Sequence, residues 1–393
     1  MRKLYAGMVL CMQLTWILIK PLKKNTVKTK YIAAITMGML AGVSALHAGN
    51  PERQGQAGAM QLTINGWARS SGWGWANGGG ITGVEAMYMN AAGLDRSASK
   101  TELTFNRTQW LVGSGIAINN FGFSQKIGED GDKGTFGVSV MQFGIKPIEI
   151  TTESNPYGGI GTYRVNMTNI GLAYSKSFSN NISAGMVVRA VNEGIPDARA
   201  MGMSLDAGVQ YTTTLRPTSN KIKQNDVKFG VSMKNIGPDM RHQGDGLSYK
   251  AIISNGDFSK TMQPKVDKIK LPSLLNISGS YDIRLDKDAD AYNNKLTVGF
   301  GFTNHAFTTN QTTLGLEYTY KNFLSVRTAF VYQEGAFDKE NRTSAFTGLC
   351  GGISYDIKTK SNIVSLDYSY RATNPFDGTH SFGLRIGLGG EDE

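Results

Sequence analysis

From Thr101 onward, apolar and polar positions alternate with a period of two, the pattern of extended strands with one oily face. In KGTFGVSVMQFG the apolar set Phe136, Val138 and Val140 interleaves with Thr135, Gly137 and Ser139. In AMGMSLDAGVQY, Met201, Met203, Leu205, Ala207, Val209 and Tyr211 interleave with Gly202, Ser204, Asp206, Gly208 and Gln210. TTLGLEYTY sets Leu314, Leu316, Tyr318 and Tyr320 against Thr313, Gly315, Glu317 and Thr319; NIVSLDYSY sets Val364, Leu366, Tyr368 and Tyr370 against Ser365, Asp367 and Ser369.

A soluble sandwich alternates too, so length and number decide between the two. Sandwich strands average roughly five or six residues, whereas a strand crossing a bilayer at a tilt needs about nine to eleven. Fourteen segments fit: 101–112, 114–127, 133–145, 163–177, 181–192, 200–214, 226–236, 272–284, 294–304, 311–321, 323–334, 346–357, 362–371 and 379–388. The number is even, as an up-and-down bacterial barrel requires. Links after even segments are mostly compact (128–132, 179–181, 321–322, 358–361), and those after odd ones are longer (146–162, 237–271, 335–345, 372–378). The links near Gly113 and at 215–225 break that rule. Short periplasmic turns and longer outer loops are the habit of outer-membrane barrels, and they place both ends of the array in the periplasm. The expected fold is therefore all-β, a transmembrane antiparallel up-and-down β-barrel of about 14 strands integral to the outer membrane. Its apolar positions face lipid, Tyr at segment ends forms an interfacial girdle, and Arg189, Asp206, Asp282, Glu317, Arg327, Asp367 and Arg385 face the lumen, where pairing or water must meet them.

Residues 49–100 do not alternate. GNPERQGQAGAMQ is turn-rich, GWARSSGWGW carries Trp67, Trp73 and Trp75, and GVEAMYMNAAGLDR has helical composition. A lipid-facing strand is excluded here, so the economical place is inside or under the barrel, as a hatch. The expected domains are 1–48 leader, 49–100 hatch and 101–393 barrel. In the hatch, Met87, Tyr88 and Leu94 pack inward while Asn90 and Gly93 turn the chain toward the first strand. The three Trp either anchor the segment at the periplasmic interface, or line an apolar path or contact a partner.

EAMYMNAAGL (Glu85–Leu94) resembles the AxYxNPAGL string at the entrance of the long-chain fatty-acid transporter group of outer-membrane barrels. In one branch the resemblance goes further. NIGLAYSKSFSNNISAGMVVRAV, MGMSLDAGVQY, FGVSMKNIGPDM, LPSLLNISGSYDI and THSFGLRIGL resemble, in order, segments of the PorV/PorQ family of the type IX secretion system of Bacteroidetes, covering most of residues 80–388. Ala91 stands where the family's proline does, and the acidic pair before it is reduced to Glu85. The resemblance implies a barrel that binds the C-terminal signal domains of secreted cargo and escorts them from translocon to attachment-complex subunits. The hatch and the fatty-acid transporter likeness imply an alternative, a transporter for hydrophobic small molecules.

Charge changes the picture little. The net charge of +10 rests on Arg2, Lys3, Lys20, Lys23, Lys24, Lys28 and Lys30 near the N-terminus, so nucleic acid loses its support as a partner and outer-membrane lipid remains. Those residues flank two apolar stretches, 4–19 and 31–46; the second ends in small residues and reads as an export signal cut after Ala48. The first is either an over-extended reading frame or a short anchor. The residues before Cys11 do not form a lipoprotein cleavage site, and Cys350 alone cannot form an internal disulfide.

Catalytic chemistry finds no motif. His242, His305 and His380 are scattered and have no metal-ligand spacing, and GGGITG (78–83) lacks the lysine of a phosphate loop and reads as a flexible turn. No cofactor, metal or enzymatic activity is expected. The long link 237–271, with Pro238, Arg241, His242, Tyr249 and Phe258, is the candidate partner-binding outer loop; folding over the barrel is its plainer reading.

Overall fold

The computed structural model describes residues 51–128, 131–214, 226–252, 259–286, 293–335 and 344–390. The leader segment 1–48 and Phe258 lie outside these residues.

Fourteen long strands follow one another: β1 (Ser99–Trp110), β2 (Ile116–Lys126), β3 (Thr135–Gly144), β4 (Asn166–Ser177), β5 (Ile182–Ile195), β6 (Ala198–Thr213) and β7 (Val227–Ile236), then β8 (Leu274–Arg284), β9 (Asn294–His305), β10 (Gln311–Tyr320), β11 (Leu324–Gln333), β12 (Phe346–Thr359), β13 (Asn362–Thr373) and β14 (Thr379–Gly390). Each pairs antiparallel with its neighbours in sequence, and β1 pairs with β14 from Ser99↔Gly390 to Gln109↔His380, so the sheet closes on itself. The fourteen segments read from the alternation are these fourteen strands, with boundaries moved by a few residues. Closure leaves no edge, the condition for crossing hydrocarbon with strands.

The two faces sort as the alternation requires. Leu172, Met186, Met203, Leu314, Leu349, Leu366 and Phe382 are exposed on the outside, while Ser139, Asn169, Gln210, Ser278, Thr313, Ser365 and Ser369 are buried on the inside. Tyr174, Tyr211, Tyr318 and Tyr355 lie toward the strand ends opposite the links 145–165, 237–273 and 334–345. An apolar belt around a closed barrel with a polar interior marks an integral outer-membrane protein. The long links 145–165, 237–273 and 334–345 share one end, which is the outer rim; the chain enters β1 and leaves β14 at the periplasmic end.

One departure from strict alternation shapes the interior. The β6–β7 register shifts between Leu205↔Ile236 and Ala207↔Met233, a bulge at which Asn235 takes φ 59. Alternation alone would aim Asn235 at lipid; the bulge turns it inward beside Lys234, and its N–H donates to Asp206 Oδ1 at 2.7 Å.

The links carry local pairing of their own. In link 237–273, Met240 bridges Ile269 and a small hairpin joins Tyr249–Ile252 to Ser259–Met262; in link 145–165, Ile148–Glu149 pairs with Thr162–Tyr163.

Candidate functional site

The lumen is filled by residues 51–98, which form one body with the barrel. Their regular structure is only short turns of helix, among them Ala68–Ser71, Ala86–Met89 and Ala91–Leu94. Most backbone groups of such a segment have no ladder to join, and buried unpaired groups are costly. The inner face of the barrel supplies the partners. Asn106 Oδ1 accepts from Ala68 N–H at 2.9 Å, Glu102 Oε1 accepts from Val84 N–H at 3.0 Å, and Thr108 Oγ1 donates to Gly66 O at 3.1 Å. Gln210 Nε2 donates to Gly78 O and Ile81 O at 3.0 and 2.9 Å, Ser232 Oγ to Met89 O at 2.9 Å and Ser175 Oγ to Ala92 O at 3.0 Å. The polar inward residues of the strands are thus the plug's substitute for secondary structure.

Many inward glycines have the same origin. A side chain at Gly185 would meet Ala91 O at 2.5 Å, one at Gly230 would meet Gly78 O at 2.7 Å, and one at Gly315 would meet the Trp73 ring at 2.7 Å. These positions are bare because plug atoms lie directly against the wall.

The plug begins at the outer mouth. Gly58 N–H donates to Lys270 O at 2.9 Å, and Ala59 and Leu62 cluster with Met240 and Leu271 at the base of link 237–273. It descends past Trp73 and Glu85 to the periplasmic end. There Asp95 accepts from Thr135 Oγ1 and Ser177 N–H at 2.6 and 2.7 Å, and Arg96 donates to Ser183 and Thr212 at 2.7 and 3.1 Å.

All five residues singled out from the opening string are inside the plug: Tyr88, Asn90, Ala91, Gly93 and Leu94 are buried. Asn90 caps the Ala91–Leu94 turn by accepting from Ala92 N–H at 3.2 Å, and its Nδ2 reaches Val209 O at 3.1 Å. Gly93 has a different reason from the turn expected of it: a side chain there would collide with Ile81 O. Trp67, Trp73 and Trp75 sit in the lumen, not at the periplasmic interface, because the wall offers them glycines and a carboxylate; Trp73 Nε1 donates to Glu317 Oε2 at 3.1 Å. GGGITG is no free turn either, since Gly78, Gly79 and Gly80 pack on β7 and β8 and Gly83 on Glu102 of β1.

Most of the charges facing the lumen are paired. Arg189 binds Asp206 at 2.9 Å and donates to Met87 O, Arg327 binds Glu317 at 2.9 Å, Lys228 binds Asp282 at 2.8 Å, and Arg385 approaches Asp356 at 3.4 Å. Asp367 accepts from Ser354 Oγ. Lys234 is fully buried with its ammonium 3.6 Å from the centre of the Tyr88 ring and 4.8 Å from that of Trp75, a cation held by two plug rings. Within the plug, Glu85 accepts from Ser70 N–H at 2.8 Å, and Arg69 lies 3.9 Å away. Burial raises the pKa of Glu85 against the opposing pull of Arg69, and burial likewise raises that of the Tyr88 phenol.

Above the plug, at the outer mouth, is a cavity of about 200 Å³. Trp75, Trp110, Phe307, Phe346, Met60 and Ile64 supply its apolar lining, and His305, Gln311, Gln333 and Arg371 its polar points. Trp110 and Phe346 meet edge to face at 5.2 Å. A smaller crevice shares Gln311, Gln333, Ser344, Phe346 and Arg371 with it and continues to Val331, Gly348 and Leu349. The ladder ends early at that place, although Gly348 still lies against Val331 O. The β11–β12 register runs from Leu324↔Tyr355 only to Phe330↔Leu349, although β11 continues to Gln333, and the β12–β13 register slips between Phe346 and Cys350. Leu349, one of its lining residues, is exposed on the lipid side.

The candidate partner loop divides in two. Its base is pinned on the plug, while Pro238, Arg241 and Tyr249 are exposed. His242 lies 3.5 Å from Glu193 and ties the loop to β5. The mouth cavity brings together residues that sequence reasoning did not join. His305, Gln311, Gln333 and Arg371 read as unremarkable strand ends, and only their shared position at the rim of a closed barrel signals a site.

No family model matches the chain, and no curated protein matches it. Solved structures similar to it include the Ralstonia pickettii toluene transporter TbuX, 12% identical with a TM-score of 0.46 over 85% of this chain and 100% of that one. A Pseudomonas aeruginosa FadL homologue is 13% identical with a TM-score of 0.46 over 83% of this chain and 100% of that one. The Pseudomonas putida toluene transporter TodX is 10% identical with a TM-score of 0.45 over 82% of this chain and 98% of that one. Likenesses of this degree carry no functional argument, and the fold rests on the chain's own ladders.

Proposed function

We propose that this barrel takes up hydrophobic or amphipathic small molecules from outside the cell, capturing them in the aromatic cavity at its outer mouth. That cavity, lined by Trp75, Trp110, Phe307 and Phe346 and floored by the plug, is the observation that carries the reading. Concave, mostly apolar sites with a few polar points are how proteins hold small ligands. The packed lumen argues against simple diffusion of polar solutes, and a local opening where the β11–β12 ladder ends early would let captured molecules reach the bilayer without passing the plug.

A second reading rests on the outer links. Tyr157 is 99% exposed and Ile252 83% exposed, with Ile160, Tyr249 and Met262 also turned to solvent. Apolar tips on rim loops suit docking of a protein, which favours the PorV/PorQ-like role of receiving the C-terminal domains of secreted cargo at a translocon. Deleting the gene separates the readings. Reduced accumulation of toluene with normal arrival of secreted proteins at the surface supports uptake; normal toluene accumulation with stranded secreted proteins overturns it in favour of secretion.

A further inference from the structure

The mouth cavity has a charge bias as well as an apolar lining. Among the described residues its lining contains Arg371 and His305 and not one Asp or Glu. Nε of Arg371 is buried without a hydrogen-bond partner among the described residues, and so is Nε2 of His305. The Arg371 guanidinium lies 3.8 Å from the centre of the Phe346 ring, which fixes its plane, and Arg53 stacks at 4.2 Å on Phe307 at the same rim. No carboxylate among the described residues lies within ion-pair distance of either arginine. A guanidinium held by stacking, with a buried donor unmet, is arranged to receive a planar acceptor. A pure hydrocarbon would fill the cavity and leave that donor unpaired, at a cost in affinity.

Size narrows the class further. A dry cavity of about 150 Å³ accepts benzene, so the roughly 200 Å³ here suits one ring with a small substituent. We infer that the mouth cavity selects single-ring aromatic carboxylates, the carboxylate meeting Arg371 and the ring lying among Trp75, Trp110 and Phe346. The inference rests on the uptake reading above and names its ligand.

The test uses the full chain in detergent, with benzoate, benzyl alcohol and toluene as probes, read by quenching of tryptophan fluorescence and by calorimetry. A charged hydrogen bond gained over a neutral one predicts that benzoate binds roughly ten- to a hundredfold tighter than benzyl alcohol. Arg371→Gln is expected to collapse that ratio toward one, and Arg371→Lys to keep part of it, with heat-modifiable gel mobility showing that each variant is a folded barrel. Benzyl alcohol and toluene binding as tightly as benzoate in the wild type, or a ratio surviving in Arg371→Gln, overturns the inference and leaves the uptake reading standing. Failure of all three probes to bind overturns both.

Discussion

Replacing Trp73 with Ala removes the largest fully buried side chain of the described protein, at the point where the plug crosses the middle of the barrel. A buried aromatic side chain hides about 150–250 Å², worth about 4–6 kcal/mol at roughly 25 cal/mol per Å² as an upper bound. Measured losses for such truncations run about 3–5 kcal/mol, the larger values where the surroundings cannot collapse. Collapse is limited here, because the ring packs on Gly299 and Gly315, which have no side chains to move in. Glu317 is not orphaned, since Arg327 still binds it at 2.9 Å, so the penalty is a cavity and not a stranded charge. If the plug opens separately from the barrel, about 3–5 kcal/mol raises its open population by roughly two to four orders of magnitude. Limited trypsin digestion in detergent, with mass spectrometry of cleavage after Arg69, reads that population. Trp73→Phe keeps most of the packing and loses the hydrogen bond to Glu317, about 1.5–3 kcal/mol, so it should fall between wild type and Trp73→Ala. Cleavage of Trp73→Ala at the wild-type rate, with the barrel still shifting on heating, would refute the view that this indole holds the plug.

Glu85→Gln keeps an acceptor for Ser70 N–H and removes a carboxyl whose pKa burial raises. A raised carboxyl adds stability that is full below the unfolded-state pKa and is lost as pH rises through the folded value, so this variant should resist heat better than wild type at neutral pH and lose the difference in acid. Thermal scans at several pH values check this, and a lower melting temperature at pH 7 would show that the ion pair with Arg69 dominates instead. Leu172→Arg on the lipid face should cost about 2–4 kcal/mol in a folding titration into bilayers, as for cations near the midplane; no loss would contradict the placement of that face. Gly185→Val is expected to expose Arg69 to trypsin by driving a side chain into the Ala91 carbonyl, whereas Gly279→Ala on the outer face should not. Equal digestion of the two variants would mean that close backbone approach is not what keeps Gly185 bare.

The sequence by itself determined the barrel: the number of strands, which face each presents to lipid, and which end carries the long links. Those properties follow from a period-two pattern over segments long enough to cross a bilayer, a signal local to each strand. It also set residues 49–100 apart as non-alternating, because a stretch without alternation has no lipid-facing side, although β1 already begins at Ser99. The tertiary structure alone decided why the inner face is small and polar. Gly185, Gly230 and Gln210 read as ordinary inward positions until the plug is in place, and then each is seen to touch plug backbone. The inward turn of Asn235 was likewise invisible, since a bulge is a misfit between two strands and leaves no trace in either alone. Trp75, Trp110, His305, Phe346 and Arg371 come from the plug and four different strands. They are brought together only by closure of the sheet, which no local pattern can encode.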